Sequence, residues 1–179
     1  KIDNVYLTGG EPLLHPQLKE LISEIKSHTN CIIIMTNGTL INKNNLKWLI
    51  ENNVHIHMSV DSIVSQYTDL YRGKHEKVID AIELISKENY RNVYLISTLS
   101  KHNIDQVKEV EVFAEEKLMK HQFAVVDVDF NHNLSWYNAT EEEVDKLLYL
   151  AETWSKNGKN KLYKKLIEFI LNNKHKNIS

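Results

Sequence analysis

Only one cysteine, Cys31, occurs in the 179 residues. An internal disulfide is thereby excluded, and a lone thiol suits a reducing cytoplasm. Prolines number two and glycines five, so no collagen-like, Pro/Gly-rich or low-complexity segment exists. Neither sign of charge dominates: 22 lysines and arginines stand against 24 aspartates and glutamates, a formal net of −2. That balance argues against broad electrostatic binding of nucleic acid. The one local excess is a basic run of Lys156, Lys159, Lys161, Lys164, Lys165, Lys174 and Lys176, read as a solvated helix face. Long apolar runs are missing too. The longest spans about five residues, against the roughly 20 needed to cross a bilayer, and no signal-peptide pattern is visible. The expectation is a protein without a nucleic-acid or membrane partner.

What remains is ordinary for a globular chain: 42% hydrophobic and 26% charged residues, in a length that allows one domain with a substantial core. Strand and helix patterns alternate. A short apolar strand over 4–7 precedes a helix over 16–27, where Leu18, Leu21, Ile22 and Ile25 fall at helical spacing. Residues 31–35 form a continuous apolar run, the mark of a parallel strand buried on both faces. A helix over 43–52 buries Leu46, Leu49 and Ile50, and a strand over 54–60 sets His55 and His57 on one face. A helix over 74–87 carries Val78, Ala81, Ile82 and Ile85. A strand over 92–97 follows, then a helix whose start resembles a capping box, Asn103-Ile104-Asp105-Gln106. The last strand is expected over 123–130, and further helices over 140–154, opened by the capping box Thr140-Glu141-Glu142-Glu143, and 161–172. Five strands in repeated strand–helix units imply parallel pairing through right-handed crossovers. Full closure of an eight-stranded barrel takes about 250 residues, so a partial barrel is expected.

The chemistry concentrates in Thr8-Gly9-Gly10-Glu11-Pro12-Leu13-Leu14-His15-Pro16, between the first strand and first helix. Strand–helix loops at this end of α/β sheets are where such folds place their sites. Paired glycines let backbone approach a small ligand, and Glu11 adds one carboxylate. Taken alone, the segment also reads as a plain strand–helix turn with a surface Glu. Two further segments end later strands: Thr36-Asn37-Gly38-Thr39-Leu40-Ile41 and Ser59-Val60-Asp61-Ser62.

These three segments, in this order, resemble the radical S-adenosylmethionine (SAM) superfamily, with its Gly-Gly-Glu-Pro loop; the resemblance covers roughly 4–130. It implies a partial six-stranded (βα)6 TIM-like α/β barrel of parallel strands, here lacking its first strand, with residues 1–130 as barrel core and 131–179 as a C-terminal helical segment of the same domain. It implies that Gly9, Gly10 and Glu11 hold the SAM α-ammonium, for which backbone carbonyls and a carboxylate are suitable acceptors, while Pro12 stiffens the loop. Ser59 is implied to contact SAM. Asp61 lies nearby in that reading, or else caps the following helix. Asn37 borders the SAM site or forms a turn. Arg72, in Tyr71-Arg72-Gly73, resembles an arginine that pairs with the SAM carboxylate; a surface ion pair is the other reading. Ser97 to Asn103 resembles a strand ending beside the adenine, with Asn103 read as a helix cap.

The family's 4Fe–4S cluster is held by a Cys-x3-Cys-x2-Cys loop, and this chain's single Cys31 cannot supply it. The ligands are expected upstream of Lys1, which makes the chain a fragment that is inactive alone. In the intact protein, cleavage of SAM would give a 5′-deoxyadenosyl radical that abstracts hydrogen from a peptide or small-molecule substrate, with an electron donor as further partner. No catalytic residue is identifiable in these residues, and no metal ligand. His55 and His57 read as hydrogen-bonded structural residues, and Cys31 as a small apolar filler. Two other readings stand beside this one: a degenerate, non-catalytic barrel fragment that binds a nucleoside or partner protein, and an unrelated barrel lyase or isomerase. The latter needs a strand-end lysine or a carboxylate–histidine metal set, and neither is convincing here.

Overall fold

The computed structural model describes residues 1–71, 73–125, 136 and 139–156. Five strands form one sheet: β1 (Ile2–Leu7), β2 (Thr29–Thr36), β3 (His55–Ser59), β4 (Val93–Leu99) and β5 (Lys120–Val125). Their spatial order is their chain order, and every neighbouring pair is parallel. Right-handed crossovers that always step the same way put all the helices on one side of the sheet. The result is a barrel wall, in agreement with the α/β partial barrel expected from the sequence. Every strand's C-terminal tip points to the same mouth.

The helices are α1 (Leu18–Ile25), α2 (Lys43–Glu51), α3 (Ser65–Tyr71), α4 (His75–Lys87), α5 (Val107–Glu116) and α6 (Glu141–Lys156), with a 3-10 turn at Pro12–Leu14. The apolar stripes read from the sequence face the sheet. Ile22, Leu46, Leu49, Ile82 and Ile85 pack with Ile34, Ile56, Met58 and Leu95 in one core, each fully buried. Fully burying a side chain of this size stabilises by about 1.5–3 kcal/mol, so these contacts set the sheet-to-helix spacing. A second core joins Leu99, Val107 and Phe123 to Trp136 and to Leu147 and Leu150 of α6. Trp136 Nε1 donates to the carbonyl of Leu99 at 3.2 Å, which anchors the second core to the tip of β4.

Several expectations need correction. β1 begins at Ile2 and β2 runs from Thr29 to Thr36, both longer than the apolar runs that signalled them. Beyond its apolar centre, β2 is held by backbone pairing and by Thr29, whose hydroxyl donates to the carbonyl of Ile2 at 3.0 Å. α1 starts at Leu18, because the 3-10 turn takes up Pro12–Leu14. β5 begins three residues earlier than expected, at Lys120; residues 126–130 and the helix expected over 161–172 lie outside the described residues. α3 has no counterpart in the sequence reading. The expected capping box at Asn103 is absent: α5 starts at Val107 after Gln106, with no side-chain cap bond. The one at Thr140 is present. Thr140 N–H donates to Glu143 Oε2 at 2.7 Å, and Glu143 N–H to Thr140 Oγ1 at 3.2 Å.

Candidate functional site

The Gly-Gly-Glu-Pro loop leaves the tip of β1 at the barrel mouth. Ideal Cβ atoms placed on Gly9 or Gly10 would meet nothing within 4 Å. Packing therefore does not demand these glycines; the space above them is open to a ligand. A groove of about 490 Å³ runs beside the loop, lined by Tyr6, Thr8, Gly9, Gly10, Leu14 and Leu21 among others.

Glu11 is bound from three directions. Its Oε1 accepts from Thr36 Oγ1 at 2.7 Å and from Leu13 N–H at 3.1 Å. Oε2 accepts from Asn37 N–H at 2.8 Å. The carboxylate thus caps the 3-10 turn and ties the β1 loop to the tip of β2. A carboxylate offers about four acceptor sites; one, on Oε2, is left for a ligand.

Asn37 accepts from both Thr39 N–H and Thr39 Oγ1, at 2.9 and 2.7 Å, in a local turn. Gly38 that follows has φ +78°, and a Cβ there would run into the Met58 thioether. Only glycine suits that position. Ser59 is the last residue of β3, half-buried, and paired with Ile96. Its hydroxyl has no hydrogen-bond partner among the described residues, so it is available at the mouth.

Asp61 is buried at 6% exposure. Before α3, Ser62 Oγ accepts from Val64 N–H at 2.9 Å in a local turn. Asp61 Oδ1 accepts from Thr98 N–H at 2.6 Å, across to the tip of β4. Asn103, fully buried, completes this seam. Its amide donates to the carbonyls of Asp61 and Thr98 at 2.9 and 3.0 Å, and its Oδ1 accepts from Ser100 N–H at 2.7 Å. Sequence reasoning missed this role, as it missed the hydroxyl of Thr36. Arg72 lies outside the described residues.

The sheet face away from the helices carries an aromatic band. Tyr6 and His57 meet edge-on with ring centroids 6.1 Å apart, and His57 and Tyr94 are 4.8 Å apart. Lys120 Nζ sits 5.0 Å over the Tyr94 ring and donates to its hydroxyl at 3.2 Å. His55 and His57 sit in the strand ladder, but among the described residues their imidazoles make no hydrogen bond, so the hydrogen-bonding expected of the side chains is not observed. Burial pushes both imidazoles below their usual 6.5, helped by Lys120 at His55 and by His55 at His57. Cys31 lies half-buried on this same face, not in the core, and burial pushes its thiol up.

A 4Fe–4S cluster does not fit the residues present. Cluster ligands are thiolates, and the one cysteine here lies near the start of β2, at the end of the strand away from the Gly-Gly loop. Among the described residues no group of three histidine, cysteine or carboxylate side chains is placed to hold a metal. SAM does fit the mouth: open space above Gly9 and Gly10, one free acceptor site on Glu11, and an unpartnered hydroxyl at Ser59.

The parallel strand–helix wall, with its open loops at the strand tips, defines a barrel-type α/β protein. Residues 1–114 match the radical SAM superfamily, and the chain belongs to that superfamily. Among curated relatives, a probable GTP 3′,8-cyclase of Sulfurisphaera tokodaii is 29% identical over 156 residues, 82% of this chain and 49% of its own length. A putative glycyl-radical enzyme activating enzyme of Methanocaldococcus jannaschii is 28% identical over 159 residues, 85% of this chain and 59% of its own length. The chain spans about half the length of the curated relatives it matches. Among solved structures, Streptococcus suis SuiB bound to S-adenosylmethionine superposes with a TM-score of 0.68 at 14% identity, over 86% of this chain and 37% of that one. AnSMEcpe with bound AdoMet gives 0.66 at 23% identity, over 86% and 46%. These two likenesses confirm the fold.

Proposed function

We propose that this chain is the SAM-binding core of a radical SAM enzyme acting on a peptide or small molecule. The observation that carries the reading is convergence: Gly9-Gly10-Glu11, Asn37 and Ser59 end three successive parallel strands at one mouth, and Glu11 joins the first two. In this reading the carbonyls of Gly9 and Gly10 and the free site on Glu11 receive the SAM ammonium, with Pro12 holding the loop. Ser59 contacts the ligand, Asn37 and Asp61 border it, and Arg72 is the residue that the family resemblance assigns to the SAM carboxylate. SAM supplies hydrogen abstraction by a 5′-deoxyadenosyl radical, an electron donor being the other partner. The family's cluster needs several cysteine thiolates, and the single Cys31 of these residues does not supply them. Residues 1–130 and 131–179 belong to one domain of a cytoplasmic protein. Among the described residues no helix is long and apolar enough to cross a membrane.

Peptide substrates have support from a 70-residue, 31%-identical match to the Bacillus subtilis subtilosin biosynthesis protein AlbA. The GTP cyclase relatives favour a small molecule equally well, which is why the substrate class stays dual. The test is calorimetric titration of SAM into the intact protein with its cluster reconstituted anaerobically. Wild type binds. Ser59→Ala loses a hydrogen bond to the ligand, worth about 0.5–1.5 kcal/mol, so its affinity falls roughly two- to tenfold. A wild-type protein that binds no SAM sinks the reading.

A further inference from the structure

We infer that Thr36 is a positioning residue of the SAM site, acting on the ligand through Glu11. The inference rests on the SAM reading above and adds to it the group that aims the carboxylate. Thr36 closes β2 and is only 2% exposed, so its hydroxyl lies beneath the site and does not touch a ligand at the mouth.

Its proton has a fixed direction. Gly38 N–H can only donate, and it donates to Thr36 Oγ1 at 3.0 Å. The hydroxyl proton therefore points the other way, to Glu11 Oε1 at 2.7 Å. The resulting relay runs from Gly38 N–H through the hydroxyl to the carboxylate. Gly38 itself is fixed, because its φ of +78° and the adjoining Met58 exclude other residues. A rigid backbone turn on β2 thus dictates the rotation of a side chain carried on the β1 loop.

Glu11 receives two other donors, the amides of Leu13 and Asn37. Both are backbone groups. Among the described residues Thr36 supplies the one side-chain donor to this carboxylate, and the one that a substitution can remove. With all three in place the remaining acceptor site on Oε2 has one orientation. Without the hydroxyl, Glu11 is held by two amides and can rotate about the line between them. A charge-assisted hydrogen bond from a rigid donor is the device that holds a binding group in place before the ligand arrives.

The test is a double-mutant cycle on SAM affinity in the intact, reconstituted protein, with thermal melts of each variant. Thr36→Val keeps the β-branched shape and removes the hydroxyl; Thr36→Ser restores it. SAM affinity is expected to fall roughly three- to tenfold in Thr36→Val and to stay within about twofold of wild type in Thr36→Ser. In a Glu11→Gln background, Thr36→Val is expected to change affinity by less than about twofold, since its route to the ligand is already altered. A merely structural hydroxyl lowers the melting temperature in Thr36→Val but leaves affinity unchanged, or lowers affinity by the same factor in both backgrounds. Either result overturns the inference. A wild-type protein that binds no SAM overturns the underlying reading instead, so the two failures are distinct.

Discussion

Asp61 Oδ1 accepts the backbone N–H of Thr98 at 2.6 Å, joining the residue beyond β3 to the tip of β4 across 37 positions of sequence. Glu11 makes the corresponding bond to Asn37 N–H at the tips of β1 and β2. Each carboxylate at the mouth thus ties together two neighbouring strand tips. The two differ in access, because Asp61 is buried while Glu11 is half-buried.

That difference yields a prediction. Asp61→Ala removes a hydrogen bond from the Thr98 amide to a charged acceptor, a loss of about 1.5–3 kcal/mol. Melting should fall by roughly 2–10 °C for a chain of this size. Asp61→Asn keeps an oxygen facing Thr98 and should recover most of the loss. Thermal melts of both variants decide. Equal loss in the two would mean that the negative charge, not the acceptor, holds the strand tips together.

The alternation of strand and helix was legible because buried residues repeat at spacings of two and of three to four. Leu46 and Leu49, or Val78, Ala81, Ile82 and Ile85, needed no tertiary information. α3 was not legible: seven residues, Ser65–Tyr71, give too short a window for a stripe. Asn103 shows a different failure. Locally Asn-x-x-Gln fits a capping box, yet the carbonyl of Asp61, 42 residues away, takes the side chain. Thr36 and Glu11 are 25 residues apart in sequence and 2.7 Å apart in space. The residue types of the mouth could be read from one strand at a time; the bonds between strands could not.

The inner-face histidines predict how stability depends on pH. Burial holds His55 and His57 below the ordinary imidazole value of 6.5. In the unfolded chain they protonate near that value, so below it the unfolded state binds more protons and stability falls as pH falls. Above about pH 7 both states are neutral and the slope from these groups vanishes. Urea melts at pH 7.5 and 5.5 should show a smaller loss in a His55→Gln, His57→Gln double variant than in wild type. An identical pH slope in the two would mean that carboxylates elsewhere carry the whole acid sensitivity.

Three of the helix–strand returns reverse through a residue in the left-handed region: Asn53 at φ 54°, Asn89 at φ 55° and Leu118 at φ 56°. Asparagine tolerates this conformation well, whereas a leucine there is strained by its Cβ against the backbone. Leu118 receives no compensation from burial, since it is 62% exposed. The bonds that hold its turn use only the backbone of Leu118 itself: its N–H donates to the carbonyl of Glu115 at 2.9 Å, and its carbonyl accepts from the guanidinium Nη1 of Arg91 at 3.3 Å. A substitution leaves both in place. Leu118→Asn should therefore stabilise the protein by about 0.5–1 kcal/mol, read as a raised urea midpoint at unchanged slope. Leu118→Gly removes the same strain but frees the unfolded chain, so its gain should be smaller. Leu118→Ala retains the Cβ and should gain nothing. A loss of stability in Leu118→Asn would mean that the leucine side chain makes contacts worth more than the strain it carries, and would place part of the protein's apolar surface against this turn.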